Sequence, residues 1–311
     1  MNRVLFKRAD PGRRLVRGEP VKRIQRALKE AGFDPRTIDG IFGGDTEGAL
    51  KEWQTQRGEQ STGAVTFDAW TALTGEAPPI IRERALQLTS DFEQHGFGKV
   101  AGNFDGAWLT WGIIGFTLKH GEIQQILSEV HLQHPDLLHD AFGPLEAELL
   151  VAINGSSAEQ EAFANRISIG RHRFKVEPKW AGAFAALGEF PEVQAMQLRG
   201  VDRYWRIAER DMERFSLETE LGAALCFDIA VQNGGIDFQT EDNSIRRRLA
   251  QNPPANEQEK RTIIADVVAE NSKPQWVEDV RSRKRTIAQG GGNVHGGVYQ
   301  LDEWGLLDKP V

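Results

Sequence analysis

Apolar residues recur at helical spacing along most of this chain. Val21, Ile24 and Leu28 form one stripe and Leu50 with Trp53 a second. Gly32 follows the first stripe as a C-cap would. Asp39-Gly40 reads as a turn, Asp45 or Thr46 as the cap of the next helix and Thr66 as the cap of a third. Ile81, Ala85, Leu88 and Phe92 then share one helical face, which places Glu93 at the rim of that stripe. The pattern breaks over residues 99–118, whose Gly, Trp and Thr content predicts a small sheet or hairpins. Helical spacing resumes at Glu122–Leu132 through Ile123, Ile126, Leu127 and Val130. It continues in segments 136–152, 157–167, 179–187, 190–215, 217–233, 243–251, 256–271 and 274–289. Gly290–Gly297 reads as a flexible loop, a candidate lid, and lacks the strand–loop–helix context of a phosphate cradle. The expected fold class is α+β, predominantly α.

A chain of 311 residues fits two domains. The Pro pair in Glu76-Ala-Pro-Pro79 cannot continue a helix and favours extended chain, so it marks the boundary. The expected division is a small three-helix domain at 1–76, a linker at 77–83 and a larger domain at 84–311. Charge is uneven: residues 1–80 carry 13 Lys and Arg against 11 Asp and Glu, and the remainder 25 against 34. The basic excess lies before residue 30 and would suit an anionic surface. A net charge of −7 without an aromatic-plus-basic repeat gives no support for nucleic acid as a partner, and none is expected. The single cysteine, Cys226, excludes an intrachain disulfide and sits in the apolar run Ala223-Ala-Leu-Cys-Phe, as a buried thiol would. No run of about 18 apolar residues is present to span a membrane. The apolar stretch after Met1-Asn-Arg is too short for a secretion signal. His131, His134 and His139 lack a compact ligand spacing, so neither a metal nor another cofactor is expected.

The candidate chemistry lies where helical spacing gives way to the Gly-rich stretch. Glu93 closes the helical pattern, and Asp105 lies in Gly102-Asn-Phe-Asp-Gly-Ala, followed by Thr110-Trp-Gly112-Ile-Ile-Gly115. Glycoside hydrolysis needs two carboxyl groups flanking one bond, one protonated to serve the leaving oxygen and one ionised. A helix end and a following hairpin can hold two carboxyls at different burial and so split their pKa values. Trp108 and Trp111 flank Thr110, placed either to stack on a sugar or to pack the hairpin. On a helix, the run of Arg281, Arg283 and Arg285 reads as a solvated face.

Three blocks carry a family resemblance. Asp105-Gly-Ala-Trp-Leu-Thr-Trp-Gly-Ile-Ile-Gly-Phe116 resembles the Asp-Gly-Arg-Gly-Tyr-Thr-x-Gly-Ile-Ile-Gly-Phe motif of the family 46 chitosanases, members of the lysozyme-like superfamily. Phe227-Asp-Ile-Ala-Val-Gln-Asn-Gly234 is similar to that family's Tyr-Asp-Thr-Ala-Val-Gln-His-Gly. Arg281-Ser-Arg-Lys-Arg-Thr-Ile-Ala-Gln-Gly290 resembles its Arg-rich helix and following loop, a resemblance that implies Arg281, Arg283 and Arg285 as partners setting the acids' charge state. The resemblance implies a lysozyme-like fold with Glu93 as general acid, Asp105 as general base and Thr110 positioning the attacking water. Glu122 falls near a substrate-binding acid, and Trp108, Trp111 and Asn233 join it as substrate-binding candidates. Ala107 and Leu109 stand where the family has Arg and Tyr, and the Glu93–Asp105 insert is shorter, which weakens the case for chitosan as substrate.

Residues 15–75 resemble the three-helix peptidoglycan-binding module of cell-wall hydrolases. Its signatures are Val21–Phe33, Ile38-Asp-Gly-Ile-Phe-Gly43, Thr46–Gln54 and Ser61–Leu73. Asp-Gly-Ile-Phe-Gly and Thr-Gly-Ala-Val-Thr read as imperfect copies of one half-unit. Asp39, Phe42 and Trp70 are the module's candidate wall contacts, although the spacing of Trp53 and Trp70 also suits a core. Together the two resemblances imply a peptidoglycan hydrolase of lysozyme type, a phage or prophage endolysin. It would be made in the host cytoplasm as a monomer and reach the cell wall with a membrane-permeabilising partner. Residues 1–76 would bind bacterial peptidoglycan and residues 80–311 cleave it alone, more weakly. The alternatives are a chitosanase and a non-catalytic wall-binding protein.

Overall fold

The computed structural model describes residues 3–93 and 96–311. Two compact units form, one from the chain up to Phe92 together with Tyr204–Val311, the other from Glu93–Arg203. The fold is mainly α with small sheets, as the periodicity predicts. Among the described residues no helix is long and apolar enough to cross a membrane.

In the first unit, helices Glu19–Glu30, Gly44–Gln56 and Phe67–Thr74 carry the predicted stripes inward. Val21, Ile24, Leu28, Phe42, Leu50, Trp53 and Trp70 are buried together with Phe6. Thr66 caps the third helix, accepting from the Ala69 N–H at 3.1 Å. The second helix has no side-chain cap. Thr46 instead takes the Gln25 amide N–H at 3.0 Å and is buried. The two half-unit copies share one geometry. Gln25 accepts from the Gly40 N–H at 2.8 Å and Gln54 from the Gly63 N–H at 2.9 Å. Each amide also donates across its loop, Gln25 to Ile41 O at 3.2 Å and Gln54 to Ala64 O at 3.0 Å. Both glycines hold positive φ, 73° and 68°, where a Cβ would also strike neighbouring side chains.

An unforeseen strand, Val4–Lys7, pairs antiparallel with Ala64–Thr66. Around it the early basic residues find carboxylates from the rest of the same unit. Arg3 and Arg84 both pair with Glu220, Lys7 with Asp302 at 3.1 Å and Arg13 with Glu303 at 2.8 Å. Arg14 and Arg17 pair with Asp91 at 2.9 and 3.3 Å. Much of the basic start is thus spent internally rather than offered to an anionic surface. The boundary expected near residue 76 lies inside one compact unit, and helix Ile81–Phe92 already begins within the expected linker.

Helix Glu220–Asn233 is buried from Glu220 to Ala230 and packs against helices Ile81–Phe92, Glu257–Glu270 and Val277–Gln289. The Cys226 thiol is enclosed there, and burial pushes its pKa up. The Gly-rich stretch after residue 289 is a hairpin rather than a flexible loop. Gly291–Val294 pairs with Gly297–Gln300 through a turn at His295-Gly296, both at positive φ.

The second unit holds a three-stranded antiparallel sheet, Val100–Ala101, Thr110–Trp111 and Phe116–Thr117. Helices Glu122–Gln133, Pro135–Phe142, Glu146–Asn154, Ser157–Ile167 and Pro178–Leu187 follow. The segment expected as one helix at 136–152 is broken at Gly143-Pro144, where Gly143 takes φ 47° and proline lacks an N–H. Trp180, Phe184, Phe142 and Trp111 form the core. The long helix Pro191–Phe215 includes the step from Arg203, the last residue of the second unit, to Tyr204 of the first.

Candidate active site

Glu93 directly follows helix Ile81–Phe92 and is half-buried. That helix is tied down in its last turns. Thr89 donates to Asp228 at 3.0 Å, and Asp91 receives Arg14 at 2.9 and 3.0 Å and the Tyr299 hydroxyl at 2.5 Å. Asp228 belongs to the Phe227–Gly234 block and meets the Arg-rich block at the centre of the unit. Arg283 donates to its two oxygens at 2.6 and 2.9 Å and Lys284 at 2.5 Å, all three side chains being buried. Burial opposes the charge of Asp228, but the two cations more than offset it and hold the carboxyl far below its usual range. Of the three candidate arginines only Arg283 does this. Arg281 and Arg285 pair with Asp266 nearer the surface.

Asp105 lies at an exposed loop tip of the second unit, where its Oδ1 accepts from the Ala107 N–H at 3.0 Å. Asn103 supports the loop by accepting from the Trp108 N–H at 3.0 Å, with Trp108 at φ 69°. Thr110 is half-buried on the central strand, opposite Thr117. Glu122 opens the next helix and accepts from the Thr117 N–H at 2.9 Å and its hydroxyl at 3.1 Å. Glu122, Thr117 and Thr110 therefore meet on one small sheet. Sequence reasoning overlooked Lys99, the residue before that sheet. Burial lowers the pKa of its amine, and the nearby charge of Glu93 works the other way. A cation amid a Gly-rich stretch, six residues after an acid, is the signal that was present.

The Gly112-Ile-Ile-Gly115 motif is architectural. Gly112 N–H donates to Lys99 O at 3.0 Å, Ile113 N–H to the Gln197 amide oxygen at 3.0 Å and Gly115 N–H to Gly112 O at 3.1 Å.

Several candidate contacts belong to cores instead. Trp111 is fully enclosed against Phe184, its Nε1 donating to Phe184 O at 3.3 Å, so it has no face for a sugar. Trp108 is buried with it. Phe42 and Trp70 are enclosed in the three-helix module and do not offer wall contacts. Asp39 organises its turn, receiving the Gln25 amide at 2.9 Å and the Ile41 N–H at 2.8 Å. Burial opposes its charge, and these bonds hold its pKa below the ordinary value. Asn233 lies exposed at the end of helix Glu220–Asn233, in the first unit, whereas Glu93, Asp105, Thr110 and Glu122 belong to the second.

Residues 17–73 match the family model described as "Putative peptidoglycan binding domain". No curated protein sequence matches the chain. Among solved structures the chain is similar to the family 46 chitosanase of Gynuella sunshinyii in complex with chitotetraose. Identity is 17%, over 72% of this chain and 98% of that one, with a TM-score of 0.47. It is also similar to the native chitosanase of Bacillus subtilis MY002, with 18% identity over 70% of this chain and 97% of that one and a TM-score of 0.46. A module of the peptidoglycan-binding type therefore opens the chain.

Proposed function

We propose that this protein is a peptidoglycan hydrolase, an endo-glycosidase of lysozyme type acting on the glycan strand of the bacterial cell wall. Glu93 is the general acid, Asp105 the base and Thr110 the hydroxyl that places the water. The observation that carries the reading is the composition of the second unit's amino-terminal part. A half-buried carboxyl at a helix end, an exposed carboxyl held by its own turn and a strand hydroxyl follow one another within 18 residues. Glycoside hydrolysis by a carboxyl pair needs one member protonated and the other ionised, and Glu93 is the more sheltered from water of the two. An inverting reaction requires about 6.5–9.5 Å between the two carboxyls, a retaining one about 5–5.5 Å. The module at residues 17–73 supports the wall as the place of action, since tethering raises local enzyme concentration there.

A second reading, chitosan hydrolysis, is supported by the resemblance of Asp105–Phe116 to the chitosanase motif. Purified sacculi and chitosan, each incubated with the protein and analysed by mass spectrometry, separate the two. New reducing-end N-acetylmuramic acid is expected. Glucosamine oligomers released from chitosan alone would move the substrate. No new reducing end from either would leave a non-catalytic wall-binding protein, and an endolysin role would fall with the enzyme.

A further inference from the structure

Next to Asp105 the second unit exposes an aromatic pair that the candidate chemistry does not use. Phe104 is 45% exposed and Phe174 49%, with ring centroids 5.0 Å apart, and Ile169 on the same hairpin is 36% exposed. Two large apolar rings left in water beside a candidate catalytic carboxyl form a ready surface for the C–H face of a pyranose.

The two loops that carry them are locked together. Gly102 N–H donates to Phe174 O at 2.9 Å, Asn103 N–H to the Ser168 hydroxyl at 2.9 Å and the Asn103 amide to Asn165 Oδ1 at 2.8 Å. Arg173 donates to the same Asn165 oxygen. A Cβ at Gly102 would overlap the Arg173 carbonyl, so only glycine permits the approach. The turn between the hairpin's strands holds two consecutive non-glycine residues in the left-handed region, His172 at φ 59° and Arg173 at φ 56°. Such conformations persist where the surrounding structure imposes them, and they cluster at ligand clamps. The same turn presents Arg171, Arg173 and Lys175, all exposed and, among the described residues, without a carboxylate partner. This basic cluster stands out in a chain of net charge −7.

We propose that Phe104, Phe174 and the basic turn 171–175 form a sugar-binding platform adjoining Asp105, selective for glycans that bear carboxylates over polyglucosamine. The proposal rests on the glycosidase reading and narrows its substrate class. Stacking on the rings is indifferent to the sugar's charge. The cations attract lactyl and peptide carboxylates and repel the ammonium groups of chitosan, so they supply the discrimination.

The test uses the full chain carrying Glu93→Gln, a soluble tetrasaccharide-peptide fragment of peptidoglycan and, in parallel, a chitosan tetramer. Hydrogen exchange locates binding, which separates this surface from the module at 17–73. Protection at residues 100–108 and 168–176 is expected with the peptidoglycan fragment and not with chitosan. Phe104→Ala and Phe174→Ala, made separately, should each weaken binding at that surface by about tenfold. Arg171→Glu with Lys175→Glu should abolish the preference for the carboxylate-bearing glycan, and the preference of the parent should shrink in roughly 1 M salt. Protection confined to the module, unchanged affinity in both phenylalanine variants, or equal protection by chitosan would overturn the proposal. If the platform is protected while the Glu93 protein cleaves no glycan, the binding surface stands and the hydrolase reading fails.

Discussion

Arg14 holds Asp91 in a two-pronged ion pair, Nε at 2.9 Å and Nη2 at 3.0 Å. The arginine lies just ahead of the peptidoglycan-binding module, and the aspartate is two residues before Glu93. The Asp91 side chain is almost wholly buried, and Tyr299 completes the grip. The amino-terminal segment is thus part of the scaffold that ends in the candidate acid.

Replacing Arg14 by Ala should destabilise the fold by about 1–3 kcal/mol, because a buried carboxylate loses its principal donors. Removing residues 1–79 altogether should do more, since Asp91 and Glu303 would lose their arginines and Glu220 would lose one of its two. A fragment of residues 80–311, expected from sequence to cleave alone, should therefore aggregate or melt far below the full chain. Comparative thermal unfolding decides it, and a fragment as stable as the parent would contradict this view of the boundary.

Asp228 makes stability depend on acid. Its pKa is lowered in the fold, so the unfolded chain binds more protons as pH falls below about 4, the ordinary range of a free Asp. The stabilisation is complete above that value and is lost as pH drops toward the folded pKa. Urea unfolding across roughly pH 2–6 should show a steep acid limb that is shallower in Asp228→Asn. Asp228→Ala should cost about 3–5 kcal/mol, because two buried cations lose the carboxylate they share. An unchanged acid limb would show that other carboxylates govern acid unfolding.

Gly112 is held at φ 90°, and a Cβ there would collide with the Gln197 amide oxygen that receives Ile113 N–H. Gly112→Ala should cost at least about 1–3 kcal/mol and distort the strand carrying Thr110. Chemical denaturation measures the first effect, and loss of activity without loss of glycan binding would report the second.

Much of the helical layout was legible because burial imposes a 3.6-residue period, as in the stripe of Val21, Ile24 and Leu28; helix Ile81–Phe92 was found by its apolar spacing although it is buried on every side from Arg84 onward. The repeated loops were legible through Asp39-Gly40 and Thr62-Gly63, although the matching glutamines, Gln25 and Gln54, were not. What escaped was long-range pairing. Nothing local in Val4–Lys7 announces a partner at Ala64–Thr66, and a basic start looks the same whether its cations meet Glu220 and Glu303 or a polymer outside. Motif residues also mix roles that sequence cannot separate. Trp111 and Gly112 hold the hairpin together, whereas Thr110, the residue before them, is only half-buried.

The central claim is that Glu93 supplies the proton in glycan cleavage. Glu93→Gln keeps the shape and removes the titratable proton, so release of reducing ends from purified peptidoglycan should fall by roughly 10²-fold or more, with thermal unfolding and sacculus binding unchanged. A folded Glu93→Gln protein that releases reducing ends at the parent rate would contradict the account.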